Sequence, residues 1–357
     1  MDCACHRPLA GNAPGLAGDR ILFWPPMAHT ARKIRRVAER CGLTESPSAT
    51  SSCVVIALQE PVDAERLLVQ LSQSLTDEEL DATQALVGTD RSPTVEEIPF
   101  VRSLRRLLAA LEHRWFELVL QHGRLTCAFQ PIVSASDRTV VGHEALLRAV
   151  MPDGEVHSAA RLLAGARALG QLVPLDVQAR IVALEEMQRH RLPGLLFINF
   201  TPTAVYDPAT CLQTTWRAAE RLGIDPSRVV FEVIETESLP NLRHVHEVLL
   251  EYRRHGFRVA LDDLGAGYSS LNWLSALQPD FIKIDRGIAQ GLAANPVQRV
   301  IAEKLVEISH SIGARVIAEG IEAEEDARTA AAIGIDYLQG YLFGRPQILA
   351  NAPAHPG

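Results

Sequence analysis

The chain has 357 residues, 47% of them hydrophobic, and a formal net charge of −8. That length suits one barrel of about 250 residues plus a smaller unit, with a composition able to bury a large core. The negative charge argues against a binder of nucleic-acid backbone; no run of about 18 apolar residues offers a membrane span, and no apolar stretch of signal-peptide type opens the chain.

Cysteines stand at positions 3, 5, 41, 53, 127 and 211. Scattered thiols in a chain of this size point to a reducing compartment, hence a cytoplasmic protein with no disulfide framework. Cys3-Ala4-Cys5-His6 at the start supports two readings. Cys3, Cys5 and His6 could hold zinc or copper with a fourth ligand from elsewhere, or the segment is an end without a ligand role. The spacing is not that of haem attachment, which needs two residues between the cysteines.

Ile21-Leu22-Phe23-Trp24-Pro25-Pro26 reads as a short strand ended by prolines. A basic amphipathic helix over 31–41, stopped by Gly42, follows. The Ser/Thr-rich stretch 46–52 reads as a loop, 53–58 as a second strand and 63–75 as a second helix. Together they predict a small α/β domain over residues 1–99, of βαβα order and with a regulatory or sensory role. Residues 100–125 read as one long helix, apolar at Leu104, Leu107, Leu108, Leu111, Trp115, Leu118 and Val119. That stripe could pack on the following domain or pair with a second protomer, making 100–124 a linker helix.

From residue 125 to 348 apolar runs of β type alternate with stretches of helical period, such as 242–255 and 297–312, and a tail follows over 349–357. The runs end in polar residues: Gln130; Glu144 and Arg148; Asn199; Glu232 and Glu235; Asp262 and Asp263; Lys283; Glu319; and Gln339. The runs number about eight, and alternation of this kind predicts a parallel sheet closed into a TIM-type (β/α)8 barrel. There the strand C-terminal ends meet on one face and form the active site. Carboxylates crowded at one mouth need cations, and two divalent ions held by oxygen ligands would be Mg²⁺ or Mn²⁺ rather than zinc.

The richest stretch is Val259-Ala260-Leu261-Asp262-Asp263 followed by Leu264-Gly265-Ala266-Gly267-Tyr268-Ser269-Ser270. Adjacent carboxylates raise each other's pKa unless a cation lies between them, and the glycines leave the next loop free to move. A metal site with a closing lid and a helix N-cap in a βα turn are both compatible with it. Lys283 could likewise pair with Asp285, and Gln339 could satisfy a buried backbone group.

Residues 125–348 resemble the EAL domain, a family of cyclic-di-GMP-specific phosphodiesterases. The resemblance runs through Phe129-Gln130-Pro131-Ile132, Glu144-Ala145-Leu146 with Arg148, Asn199, Glu232 and Glu235, and Asp262-Asp263 with its loop. It continues through Lys283, Ala318-Glu319-Gly320-Ile321-Glu322 and Gln339-Gly340-Tyr341.

The resemblance implies hydrolysis of c-di-GMP to linear 5′-pGpG by two metal ions. Glu144, Asn199, Glu232 and Asp262 would hold one ion; Asp262, Asp263 and Glu319 would hold the second. The shared water would lose a proton near neutral pH and attack phosphorus in line. Lys283 would position that water or stabilise negative charge. Gln130, Leu146, Arg148 and Gln339 would contact the dinucleotide, and Glu235 and Glu322 would support the loops. Homodimers through the barrel domain are implied, with no nucleic-acid partner and no membrane insertion.

A receptor that binds c-di-GMP with weak or conditional catalysis is the competing reading, although such members usually lack the metal ligands or the lysine. The chain departs from the family at Leu264, commonly Phe, at Ala266, often Thr, and at Phe200-Thr201, usually Leu-Ser. The smaller apolar anchor at Leu264 implies a looser lid. No GGDEF-type sequence precedes the barrel, so synthesis of the dinucleotide is not expected.

Overall fold

A computed structural model describes residues 18–48, 52–88, 101–205, 207–234, 242–265 and 270–350. These fall into two compact units. The smaller takes in the described residues up to Gly123 together with Leu163–Gln171, and the larger takes in Arg124–Leu162 and the chain from Leu172 onward.

The smaller unit runs β1 (Arg20–Trp24), α1 (Ala28–Arg40), β2 (Glu45–Ser46), β3 (Val54–Ala57), α2 (Pro61–Ser72), α3 (Asp77–Ala82), β4 (Gln84–Gly88), β5 (Arg102–Ser103), α4 (Leu104–Glu112) and α5 (Arg114–His122). Its strands form an antiparallel sheet in the order β2-β3-β1-β4-β5. Alternation along β1 sends Ile21 and Phe23 to the face where Ile34, Val37, Val54, Ile56, Leu67 and Leu71 pack. Leu22 goes to the other face with Cys53, Val55 and Leu86.

Three features differ from the sequence expectation. Helix α3 and strands β4 and β5 extend the βαβα unit, and the first two residues of the 46–52 stretch border or join β2. The single helix expected over 100–125 is two helices broken at His113, whose φ of −103° and ψ of 16° leave the helical range. Leu104 and Leu107 of the apolar stripe are buried in the smaller unit's own core, while Leu118 is exposed.

The larger unit runs β6 (Arg124–Ser134), β7 (Val140–Val150), β8 (Val156–Ser158), α6 (Ala159–Ala168), α7 (Leu172–His190), β9 (Leu195–Phe200), α8 (Pro208–Cys211), α9 (Gln213–Arg221), β10 (Val229–Ile234) and α10 (Leu242–Arg254). It continues with β11 (Arg258–Leu264), α11 (Ser270–Leu277), β12 (Phe281–Ile284), α12 (Arg286–Ala289), α13 (Pro296–Ser311), β13 (Arg315–Ala318), α14 (Glu324–Ala332), β14 (Tyr337–Gln339) and β15 (Gln347–Ile348). The first four residues of α6 belong to this unit and the rest to the smaller one.

Pairing of β6 with both β14 and β7 closes β6, β7 and β9 to β14 into an eight-stranded barrel; β8 and β15 are side strands. The expected fold class holds, with one change in strand direction. Strand β6 runs antiparallel to β7 and to β14, whereas the pairs from β7 and β9 round to β13 and β14 are parallel. The link from Ser134 to Val140 is too short for a crossover helix, and a short link joins only antiparallel strands.

Inside the barrel Ile132, Phe197, Val230, Ala260, Phe281 and Ile317 form an apolar layer. A second core lies outside it, between strands and helices, and contains Leu196, Ile198, Phe231, Val259, Leu261 and Leu264 with Leu184, Val248 and Tyr252. Burial of both strand faces explains why these runs are near-continuously hydrophobic.

Candidate active site

Side chains two apart on a strand share a face. Two residues beyond the interior layer, towards the strand C-terminal ends, stand Asn199, Glu232, Asp262, Lys283 and Glu319. Strand β6 runs the other way, so its polar neighbour of Ile132 is Gln130, which lies opposite Glu144 in the register. The barrel is therefore apolar below and polar at the mouth, and alternation alone delivers the site residues to one place.

Lys283 is the centre of the cluster. Its Nζ lies 2.5 Å from Glu319 Oε1, 2.9 Å from Glu232 Oε1, 3.2 Å from Asp262 Oδ1 and 3.7 Å from Glu144 Oε2. Asp285 instead caps α12 by accepting from the Gly287 amide at 2.8 Å, so the lysine is not half of a pair with it.

Glu144 accepts from Asn199 Nδ2 at 2.8 Å and from Gln339 Nε2 at 2.7 Å. Gln339 Nε2 also reaches Gln130 Oε1 at 3.2 Å, so it serves side chains of the site rather than a backbone group. Asp262 Oδ1 accepts from the Asp263 amide at 3.0 Å. Asp263 has φ of +56°, a region that Asp tolerates better than most residues and one that marks strained functional backbone. Two residues on, Gly265 has φ of +106°, a region side chains rarely adopt, and a Cβ there would also lie 2.2 Å from Ile288 Cδ1.

Burial sets the electrostatics. It drives Glu232 well above the ordinary carboxylate range; Lys283 opposes this, while Glu144 and Asp262 add to it. Asp262 is raised by the same desolvation. Glu319 is pushed up to about 8 by burial, with Asp262 and Glu144 adding to the rise and Lys283 opposing it. Asp263 is pushed up to about 6 by burial, then by Asp262 and Asp285. Burial acts the same way on Glu144, but Lys283 and the amides of Gln339 and Asn199 outweigh it and leave that carboxyl below its usual range. For Lys283 burial works against the charge, and the surrounding acids overcome it and hold the ammonium well above its usual range.

The donor set fits divalent cations. Beyond the Lys283 ammonium, neither buried Glu232 carboxylate oxygen has a hydrogen-bond partner, and Gln339 Oε1 is likewise unsatisfied. Oxygens of Asp262, Asp263 and Glu319 lie within 4.8 Å of one another. A nest of carboxylates and a carboxamide suits hard ions such as Mg²⁺ or Mn²⁺, and added positive charge would offset the burial and mutual repulsion that raise these acids.

A cleft of about 260 Å³ opens above the nest, lined by Gln130, Glu144, Leu146, Asp262, Glu319 and Gln339, with Arg286, Tyr341, Gly320, Gly340 and Glu322 at its sides. Arg148 shares the β7 face of Glu144 and Leu146 by alternation, but it does not line the cleft, and its Nη1 donates to Leu147 O at 2.8 Å. Glu322 is exposed. Glu235, residues 266–269 of the loop after Asp263, and Cys3, Cys5 and His6 lie outside the described residues.

Sequence reasoning missed Arg286, an exposed arginine directly after Lys283-Ile284-Asp285. Its signal was its place at a strand end; without the fold it reads as an ordinary surface charge. Gly320 makes room for it: at φ of +66°, a Cβ there would meet Arg286 Cβ at 2.4 Å.

The EAL domain family matches residues 110–346. The cyclic di-GMP phosphodiesterase PdeF of Escherichia coli (strain K12) is 31% identical over 254 residues, which is 70% of this chain and 32% of that protein. PdeL, a cyclic di-GMP phosphodiesterase of the same organism, is 26% identical over 232 residues, 64% of each chain. A standalone EAL protein from Vibrio cholerae O395, solved in its c-di-GMP-bound form, is similar with a TM-score of 0.56 at 29% identity, covering 63% of this chain and 93% of that one. The chain thus spans about a third of PdeF. A match across most of the barrel, on a mouth built from the residues described above, shows that the chain belongs to the EAL domain family.

Proposed function

We propose that this chain hydrolyses c-di-GMP to linear 5′-pGpG and so lowers the level of that second messenger. The observation that carries the reading is the convergence of Glu144, Asn199, Glu232, Asp262 and Glu319 around Lys283 at one barrel mouth, with no acid of the set replaced. The phosphodiesterase names of PdeF and PdeL and the c-di-GMP bound by the Vibrio cholerae protein support it.

Two ions, Mg²⁺ or Mn²⁺, would be held by Glu144, Asn199, Glu232 and Asp262 and by Asp262, Asp263 and Glu319. When bound they supply Lewis acidity, activating water and offsetting charge at phosphorus. The chain's own residues do the rest. Lys283 holds the attacking water or the negative charge that develops beside it. Gln130, Leu146, Arg148, Gln339 and the rim arginine Arg286 hold the dinucleotide, its phosphates taking charge-assisted hydrogen bonds. Glu235 and Glu322 support the surrounding loops. Water adds to phosphorus, the 3′ oxygen departs and takes up a proton, and the ring opens. Among the described residues no helix is long and apolar enough to cross a membrane.

We also place a homodimer contact on the barrel. Helix α13 exposes Val297, Val300, Ile301 and Ile308, which lie along one side of the helix.

The test is hydrolysis of c-di-GMP by purified full-length protein with Mg²⁺, Mn²⁺ or EDTA, followed by chromatography of pGpG. Metal-dependent pGpG formation is expected. Tight c-di-GMP binding with no product under any of the three conditions would replace the enzyme with a receptor.

A further inference from the structure

Arg180 is fully buried, and Asp176, one turn earlier on α7, is 5% exposed. Arg180 Nη1 donates to Asp176 Oδ2, and Arg180 Nε donates to Thr215 Oγ1 on α9 at 3.0 Å. Such a pair loses two hydration shells, and apolar residues of the same shape often serve stability equally well. What apolar residues could not supply is the other carboxylate oxygen. Asp176 Oδ1 accepts from the Thr201 amide at 2.8 Å.

Thr201 is the first residue past β9. The β9–β10 register ends at Phe200 opposite Val233, so the Thr201 amide receives its partner from a helix instead of the sheet. Two residues back is Asn199, whose Nδ2 lies 2.8 Å from Glu144 Oε1. Helices α7 and α9 thus meet, through Asp176, Arg180 and Thr215, on the backbone that carries the carboxamide of the nest.

We infer that Asp176, backed by Arg180, is a positioning residue that fixes the chain beyond Asn199 and aims its carboxamide into the metal nest. This rests on the metal-nest reading above. Groups that orient ligands from behind typically contribute about 10- to 100-fold in metal affinity or activity.

The test uses two double variants of the full chain. Asp176→Leu/Arg180→Met removes the pair and the acceptor; Asp176→Asn/Arg180→Gln removes the charges but keeps an amide oxygen in reach of the Thr201 N–H. Mn²⁺ binding is read by calorimetry, folding by thermal melting, and the Thr201 amide by hydrogen exchange. The apolar variant is expected to melt cooperatively, to bind Mn²⁺ about tenfold or more weakly, and to exchange the Thr201 amide faster. The amide variant is expected to stay near wild type in Mn²⁺ affinity and in Thr201 exchange.

Wild-type Mn²⁺ affinity in the apolar variant, or an equal loss in both variants, overturns the inference. If wild-type protein takes up no Mn²⁺, the metal-nest reading fails, and exchange still reports on the clamp separately: an unchanged Thr201 rate in the apolar variant removes it too. Should the apolar variant not fold, the wild-type chain decides, because a Thr201 amide exchanging as fast as an open loop contradicts the clamp.

Discussion

Lys283 Nζ lies 2.9 Å from Glu232 Oε1, and the two residues are 1% and 0% exposed. An ammonium and a carboxylate sealed together at this depth stabilise each other, yet Glu232 shares its single cation with Glu319, Asp262 and Glu144. Lys283 is therefore the ammonium shared by four buried acids, three of which burial raises above their ordinary range. Divalent cations would supply the further positive charge that lets them ionise, and the lysine matters to both stability and chemistry.

Lys283→Met should separate those two roles. Leaving buried carboxylates without their cation costs about 3–5 kcal/mol, so the metal-free variant should melt well below wild type, and Mn²⁺ should raise its Tm by more than it raises that of wild type. Turnover of c-di-GMP at saturating metal should fall by about 10²-fold or more. A variant that hydrolyses c-di-GMP at the wild-type rate would remove Lys283 from the chemistry.

The metal-free protein should lose stability as pH rises. Glu319 near 8 and Asp263 near 6 hold protons in the folded chain that they release, when unfolded, near the ordinary carboxylate value of about 4. The folded state therefore binds more protons over that range, and stability falls with rising pH from about 4 to about 6 for Asp263 and to about 8 for Glu319. Below the window both states are protonated and the loss is absent. Melting curves at pH 5 and pH 8 in EDTA should show the lower Tm at pH 8. Saturating Mg²⁺ should shrink or reverse the difference, because bound cations favour the ionised ligands. A Tm in EDTA that climbs from pH 5 to pH 8 would contradict the burial of these acids.

Arg286→Ala should weaken substrate binding without dismantling the nest. Arg286 lines the cleft but is not among the residues around Lys283. Loss of a charge-assisted contact to phosphate, about 1.5–3 kcal/mol, corresponds to a KM roughly 10- to 100-fold higher with kcat little changed. Steady-state kinetics on c-di-GMP checks this, and an unchanged KM would take Arg286 out of the binding site.

Charge on α13 should break the proposed dimer. In Val300→Glu/Ile301→Glu two exposed apolar side chains become acidic, which should shift the sedimentation coefficient from dimer to monomer while the melting temperature stays close to that of wild type. A variant that sediments as wild-type dimer would move the contact to another face.

Much of the site could be read along the chain because a strand has a period of two. Phe197 and Asn199, Val230 and Glu232, Ala260 and Asp262, Phe281 and Lys283, and Ile317 and Glu319 each repeat one pattern, an apolar residue and then a polar one on the same face. Helix α3 was legible too: Thr76 and Glu79 form a capping box, the Thr-x-x-Glu signature that opens a helix. The segment is short and acidic, so no apolar period accompanies that signature. The break at His113 had no such signal, since neither proline nor glycine marks it and the apolar stripe continues through it.

Periodicity and residue type are local properties, so the eight barrel strands, the polar residues they carry and the family they belong to could be read along the chain. The tertiary structure decided what depends on distant segments meeting. It reversed β6 through a link too short for a helix. It placed Lys283 among four carboxylates rather than beside Asp285. It brought Arg286 to the cleft over Gly320 and set Asp176 behind Asn199. Only barrel closure brings such residues within hydrogen-bonding range of each other, and only there does burial move the carboxylates from their ordinary range.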